Sequence, residues 1–386
     1  MEYELGELLP YEQPADYIVE STDYDDSYKT PVLTAGKSFI IGYTNETKGI
    51  YTRLPVIIFD DFTTSSQYVD FPFKVKSSAM KILSVNSEIA DLKYLFYKMQ
   101  TIQFDSANHK RYWISEYSKI KLDLPTLAEQ QRIVNRIETM FSKLDQAQEK
   151  AQAVLDSFET RKAAILHKAF SGELTANWRK ENGISDNSWE EKKLGDCGTI
   201  YGGGTPSMSH KEYWENGNIL WITSKDMKSD VINDSEIHVN MKGVENSSAK
   251  YIDRPAVLFV MRSGNLRRTF PVCMVNKEFT VNQDLKALVP NTSILLEYLF
   301  YACKANERKI LDTCMKSGTT VESINSESLF NFVMNIPSHP EQQEIVRILD
   351  TVLEKESRAK ESASTVLDEI ALLKKSILAR AFRGEL

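Results

Sequence analysis

Residues 128–174 read AEQQRIVNRIETMFSKLDQAQEKAQAVLDSFETRKAAILHKAFSGEL, and residues 340–386 read PEQQEIVRILDTVLEKESRAKESASTVLDEIALLKKSILARAFRGEL. Aligned without a gap at an offset of 212, the stretches are identical at 21 of 47 positions. One element is written twice. Both copies open on S/T-x-x-E, Thr126 with Glu129 and Ser338 with Glu341, the pattern of a capping box that satisfies first-turn N–H groups. Pro340 stands where a missing N–H costs little, and Gly172 and Gly384 follow the last periodic residue as left-handed C-caps. Between these signals the apolar residues step by four and three, as in a coiled coil. The first seam is Ile133, Ile137, Met140, Leu144, Ala147, Ala151, Val154 and Phe158, continuing to Ile165 past Arg161. The second is Ile345, Leu349, Val352, Ala359, Ala363, Val366 and Ile370, continuing to Leu373 and Ile377, with Glu356 as its polar break. At about 1.5 Å per residue, some 40 residues make a rod of roughly 60 Å.

Outward from the helices, the 386 residues divide into two halves. We assign 1–124 to a first globular unit, 125–174 to its helix, 175–188 to a polar linker, 189–336 to a second unit and 337–386 to the second helix. SFIIGYT (38–44), LPVIIFDDF (54–62) and YVDFPFKV (68–75) read as strands, as do NILWITS (218–224), AVLFVMRS (256–263) and TFPVCMVN (269–276). SEIADLKYLFYKMQ (87–100) has helical spacing, and LEYLFYA (296–302) repeats its LKYLFYK. The fold class expected is α+β, with two mostly β domains joined by a pair of long antiparallel coiled-coil helices in pseudo-two-fold symmetry. The endings of the halves match better than their beginnings, and the middles have drifted apart. One architecture presenting two recognition surfaces would look like this.

The N-terminus MEYELGELLP is acidic, without a basic apolar leader, and no apolar run approaches a membrane span, so a cytoplasmic protein is expected. Cys197, Cys273, Cys303 and Cys314 lack CxxC spacing and histidine companions, and read as packed thiols rather than a metal site. The net charge of −7 conceals local excesses. Residues 27–127 hold thirteen Lys/Arg against nine Asp/Glu, and residues 250–316 hold eleven against six. A basic face for nucleic acid is compatible with that distribution.

The sequence offers no catalytic constellation. Gly202-Gly203-Gly204 lacks phosphate-loop spacing and reads as a tight turn, and the five histidines are scattered. Asp60 and Asp61 with Lys74 and Lys76 make only a loose nuclease-like set. Two loops combine bases with polar or aromatic residues: NHKRYW (108–113), with His109, Lys110 and Arg111, and RSGNLRRT (262–269), with Arg262, Asn265, Arg267 and Arg268. Arginine and asparagine can read base edges, while lysine and serine hold phosphates. The candidate DNA-binding set is these seven residues with Lys37, Lys74, Lys76, Ser207, Lys211, Lys225 and Lys316. No catalytic or metal residue is assigned.

GGGTPS (202–207), YWENGNILWITSKD (213–226), VNQDL (281–285), SGTT (317–320), IPSHPEQQEIV (336–346) and AFRGEL (381–386) resemble the specificity subunit of type I restriction-modification systems. YKTPVLTAGKSFIIGYT (28–44), PVIIFDDFT (55–63) and LPTLAEQQRIV (124–134) resemble another branch of the same target-recognition domains. The resemblance spans essentially the whole chain. It implies two recognition domains at opposite ends of the helix pair, each reading half of a split site in double-stranded DNA. It further implies that two modification subunits, which methylate adenine, clasp the helices and that two motor-nuclease restriction subunits join them. No cofactor is then expected in this chain; S-adenosylmethionine, ATP and Mg would belong to the partners. The alternatives are a protein-binding coiled-coil scaffold and the adaptor of a methyltransferase-only system.

Overall fold

The structure, a computed structural model, describes residues 2–34, 38–102, 111–316 and 321–386. It divides into two compact units, one of Met1–Ala153 with Ala363–Leu386, the other of Val154–Ser362. The division falls inside both long helices, Leu127–Phe170 and His339–Ala381, rather than at the ends of the sheets. Each sheet-rich domain therefore comes with part of both helices.

In the first unit, Tyr11–Glu12, Met80–Leu83, Val56–Asp60 and Ser66–Val69 form a four-stranded antiparallel sheet in that order. Ile40–Thr44, Thr30–Leu33 and Lys74–Val75 form a second sheet. The β-branched run VIIFD is buried at its first four positions, as a central strand covered on both faces requires. Helix Leu92–Met99 starts where the Asp91 carboxylate accepts the Tyr94 N–H. In the second unit a five-stranded sheet runs Gly198–Gly202, Leu285–Pro290, Ala256–Val260, Val272–Val275 and Val231–Ile232, beside a three-stranded one of His238–Val239, Ile219–Ile222 and Phe279–Val281. Helices Leu296–Ala305 and Glu307–Cys314 follow. All four cysteines are free and buried in this unit, and burial pushes the Cys197 thiol up to about 11.

The beginnings of the two domains match in structure where Leu194-Gly195-Asp196 echoes Leu5-Gly6-Glu7 in sequence. In each, the first strand pairs antiparallel with the last, Glu2–Glu4 with Lys121–Asp123 and Glu190–Lys193 with Val333–Ile336. The next residue, Leu5 or Leu194, is fully buried and donates its N–H to a carbonyl of the closing segment, Ile120 or Phe332, at 2.9 Å in both. The glycine that follows sits tight against the closing segment, since a Cβ on Gly6 would lie 2.9 Å from Ser118 Cβ and one on Gly195 3.0 Å from Phe330 O.

Within each unit the helix segments run antiparallel. In the first, Asp145 pairs with Lys374 at 2.5 Å, and Ile137 packs with Leu378 and Ala381. In the second, the two polar breaks of the seam meet: Arg161 Nε lies 2.8 Å from Glu356 and its Nη2 reaches Val154 O. Ile137, Ala151, Ala363 and Ile370 are buried seam residues. Ile345 and Leu349 are buried too, but inside the core of the second domain. Ile133, Met140, Leu144, Ala147, Val154, Phe158 and Val352 are half-buried, and the assignments of Ala359 and Val366 to the interface are corrected, since both are exposed. Ala363 and Ile370, one heptad apart, hold the contact line, and Ala359 and Val366, each four positions before one of them, fall beside it.

The caps also depart in part from expectation. Gly172 and Gly384 are left-handed, with φ of 83° and 76°, and the Thr126 hydroxyl accepts the Glu129 N–H at 3.4 Å. Neither glutamate closes a capping box. Glu129 takes a two-bond contact from Arg132, and Glu341 is buried, accepting from Thr175 Oγ1 and Arg179 Nη1 at 2.7 Å each. The stretch read as a linker holds helix Ala176–Glu181, which Arg179 pins by also donating to Gly172 O at 2.9 Å.

Candidate nucleic-acid interface

The second unit brings three sequence-distant segments together. The turn after Gly202 lies directly on the strand that ends at Val281: Gly204 donates its N–H to Val281 O at 2.8 Å, and a Cβ on Gly203 would stand 1.9 Å from Asn282 O. Only glycine permits that approach. It places Thr205, which donates to Gln283 Oε1 at 2.6 Å. Two residues on from Asn282, Asp284 turns its carboxylate to Arg262, whose Nε lies 2.8 Å away.

Arg262 opens the basic loop. Ser263 caps the short turn Gly264–Arg267, accepting the Asn265 N–H, while Leu266 anchors it in the core. Ser263 donates its N–H to Glu322 O at 3.1 Å, and Arg267 Nε pairs with the Glu322 carboxylate. That hydrogen bond holds the Glu322 carboxyl below its ordinary range. Lys316 is tied to the same place by its N–H to Ser323 O and keeps its side chain exposed.

The loop has two faces, which the sequence merged. Arg262 and Arg267 face Asp284 and Glu322, whereas Asn265 and Arg268 line a groove of about 700 Å³ whose charged lining is mixed, Lys162, Lys304 and Arg308 with Glu159, Asp230 and Glu307. Arg268 is exposed and has no ion-pair partner among the described residues; Lys304 is paired with Asp230 at 3.0 Å. Ser207, Lys211 and Lys225 are exposed: Ser207 shares a hydrogen bond with Ser209, Lys211 begins the short turn Lys211–Tyr213, and Lys225 rides a turn closed by Asp226 on Thr223.

In the first unit the assignment of Lys74 to DNA contact is corrected. Its ammonium is buried, 2.6 Å from Glu46 and 2.8 Å from Lys48 O, and faces no solvent. Burial opposes the charge on Glu46, but Lys74 and the N–H groups of Ser21 and Glu20 outweigh it and keep its carboxyl low. Lys76 and Arg111 are exposed; Lys37, His109 and Lys110 lie outside the described residues. The acid pair of the nuclease-like set has structural partners. Asp60 closes a turn by accepting from Phe62 and Thr63 N–H. Asp61 is fully buried against Lys81 at 3.2 Å, and holds the start of helix Tyr112–Ser115 through Tyr112 N–H to its carbonyl and Trp113 N–H to its carboxylate.

Sequence reasoning missed Asp284 and Glu322, because a carboxylate beside an arginine lowers the very charge excess that marked the loop. It also missed Gln130 and Gln342, for which the repeated EQQ was the available signal. Gln342 is buried, donating to Ser293 O and Pro337 O and accepting the Leu295 N–H. Gln130, equally buried, does the same with Ile89 O, Pro125 O and the Asp91 N–H. Each glutamine clamps a helix head to the loop that precedes the LKYLFYK or LEYLFYA helix.

A domain whose ends are clamped to a helix head, carrying loops that differ between copies, is the architecture of a targeting module. The family model described as "Type I restriction modification DNA specificity domain" matches residues 1–155 and 187–363, and the chain belongs to the specificity subunits of type I restriction-modification systems. It is 40% identical over 360 residues to the specificity subunit of the type I restriction enzyme EcoR124I/EcoR124II of Escherichia coli, covering 90% of this chain and 85% of that one. It is 24% identical over 314 residues to the StySPI specificity subunit of Salmonella potsdam, covering 79% and 66%. The solved structure of the HsdS subunit from Thermoanaerobacter tengcongensis shares the fold, with a TM-score of 0.62 at 18% identity over 100% of this chain and 97% of the other. The role is that of a DNA sequence-specificity subunit; neither the protein-binding scaffold nor the methyltransferase-only adaptor is favoured. Among the described residues no helix is long and apolar enough to cross a membrane.

Proposed function

We propose that each sheet-rich domain reads one half of a two-part site in double-stranded DNA, and that the chain itself performs no chemistry. The long helices dock two modification subunits, which supply S-adenosylmethionine and methylate adenine; restriction subunits, with ATP and Mg, complete the assembly in the cytoplasm. The observation that carries this reading is the convergence of 202–205, 262–268 and 281–284 on one edge of the second domain, where exposed arginines stand over a rigid backbone. Within that reading Arg111, Lys76, Ser207, Lys211, Lys225, Lys316 and Arg268 are backbone contacts, and Arg262 and Arg267 read bases.

The test is methylation. The purified chain with S-adenosylmethionine should leave DNA unmodified, and adding the cognate modification subunit should produce adenine methylation at a split sequence. Turnover by the single chain, or methylation unaffected by removing it from cells, would overturn the proposal.

A further inference from the structure

The two loop arginines are held in the same way. Asp284 takes Arg262 by Nε, and Glu322 takes Arg267 by Nε, with no other hydrogen bond from either guanidinium among the described residues. Among the described residues the terminal Nη1/Nη2 edge of both is therefore unengaged. Arginines with structural tasks differ: Arg161 also uses Nη1 and Nη2, on Ser157 and Val154 O, and Arg179 uses both on Glu341, Thr175 and Gly172.

We propose that Asp284 and Glu322 are specificity-determining positioning residues that aim the Nη1/Nη2 edges of Arg262 and Arg267 at guanines in the second half-site. This rests on the DNA-reading role argued above. Guanine presents O6 and N7 side by side in the major groove, and the terminal guanidinium edge meets both at once. An untethered arginine has many rotamers and can settle on any phosphate. A carboxylate on Nε removes most of that freedom and leaves the reading edge open. Both carboxylates are themselves fixed through the backbone beside them, since Asp284 O accepts the Met261 N–H and Glu322 O accepts the Ser263 N–H, so acid and arginine sit on one framework.

Electrostatics alone predicts no change in discrimination, which makes the idea separable. Removing an anion near DNA should tighten binding to every sequence. Positioning predicts instead that discrimination falls. The experiment uses the complex of the full chain with its modification subunits, and compares binding and methylation on the mapped site and on sites with each second-half guanine replaced. Glu322→Gln or Asp284→Asn should cut the preference for guanine by about five- to tenfold, leave first-half discrimination unchanged, and slightly raise binding to unrelated DNA. Glu322→Asp should restore part of the preference. Arg267→Lys keeps the charge and loses the planar fork, and should lose discrimination as Glu322→Gln does even if that variant proves unstable. Equal tightening on all sequences with discrimination intact would reduce the acids to screening charges and overturn the proposal, as would a second half-site without guanine. A wild-type complex that binds all sequences alike would instead reject the DNA-reading role itself.

Discussion

The heads of the two long helices carry the same letters, EQQ, and only some of the bonds are the same. Gln130 and Gln342 make matching three-bond clamps, each on the loop before the domain's helix. Glu129 and Glu341 part company. The first is half-buried and satisfied by Arg132, three residues along its own helix; the second is completely buried and holds Thr175 and Arg179, from the short helix Ala176–Glu181 and its N-cap. Identical sequence thus specifies the clamp, while the glutamate takes its role from whichever segment folds over it.

The largest effect should come from breaking that asymmetry. Arg179→Ala leaves Glu341 buried without its cation, at a cost of about 3–5 kcal/mol for one partner of a buried pair. Arg132→Ala removes an exposed pair worth about 0–1 kcal/mol. Denaturation of the full chain should show the first change melting the unit that contains Glu341 early and the second doing almost nothing. Arg179→Lys should not rescue, because an ammonium is a single point of donors and lacks the planar fork whose Nη1 reaches Glu341 and Thr175 while its Nη2 reaches Gly172 O. Equal costs in the two copies would mean that the burial difference carries no energy.

The glutamine clamps should behave alike. Gln130→Ala and Gln342→Ala each strand buried backbone groups, costing about 1–3 kcal/mol apiece. Because the groups released belong to the loop before the LKYLFYK or LEYLFYA helix, hydrogen exchange should rise there, at Asp91 in one variant and Leu295 in the other. If exchange rose only in the long helix, the clamp would be an ordinary helix bond.

These contrasts also mark what the sequence made legible. Helix length, stop glycines, strand runs and the position of the basic loop follow from periodicity and turn chemistry, which act over a few residues. The exposure of Val366, the burial of Lys74 and the fate of Glu341 do not. Each depends on segments brought together by the tertiary fold: Lys74 meets Glu46 from 28 positions earlier in the chain, and Arg267 meets Glu322 from 55 positions later. A lysine in a strand pattern looks the same from sequence whether it faces solvent or a buried carboxylate.

The smallest effect concerns the second arginine of the basic loop. Arg268 follows Arg267 directly, yet it lines the groove with Lys162 and Lys304 and has no carboxylate on its guanidinium among the described residues. A free cation on a surface without a tether suits a phosphate, whose contacts position a protein without reading sequence. Arg268→Ala should therefore weaken the binding of the assembled complex by the same modest factor on cognate and substituted sites, and lower the slope of log affinity against log salt by about one. Arg267→Ala should change the ratio between those sites by about 1–3 kcal/mol if its edge meets a guanine. Titrations of both variants against the same DNA at several salt concentrations separate the two faces of the loop. A loss of discrimination with Arg268→Ala as large as with Arg267→Ala would show that the neighbours act as one reading unit, and that the division drawn by Glu322 does not survive on DNA.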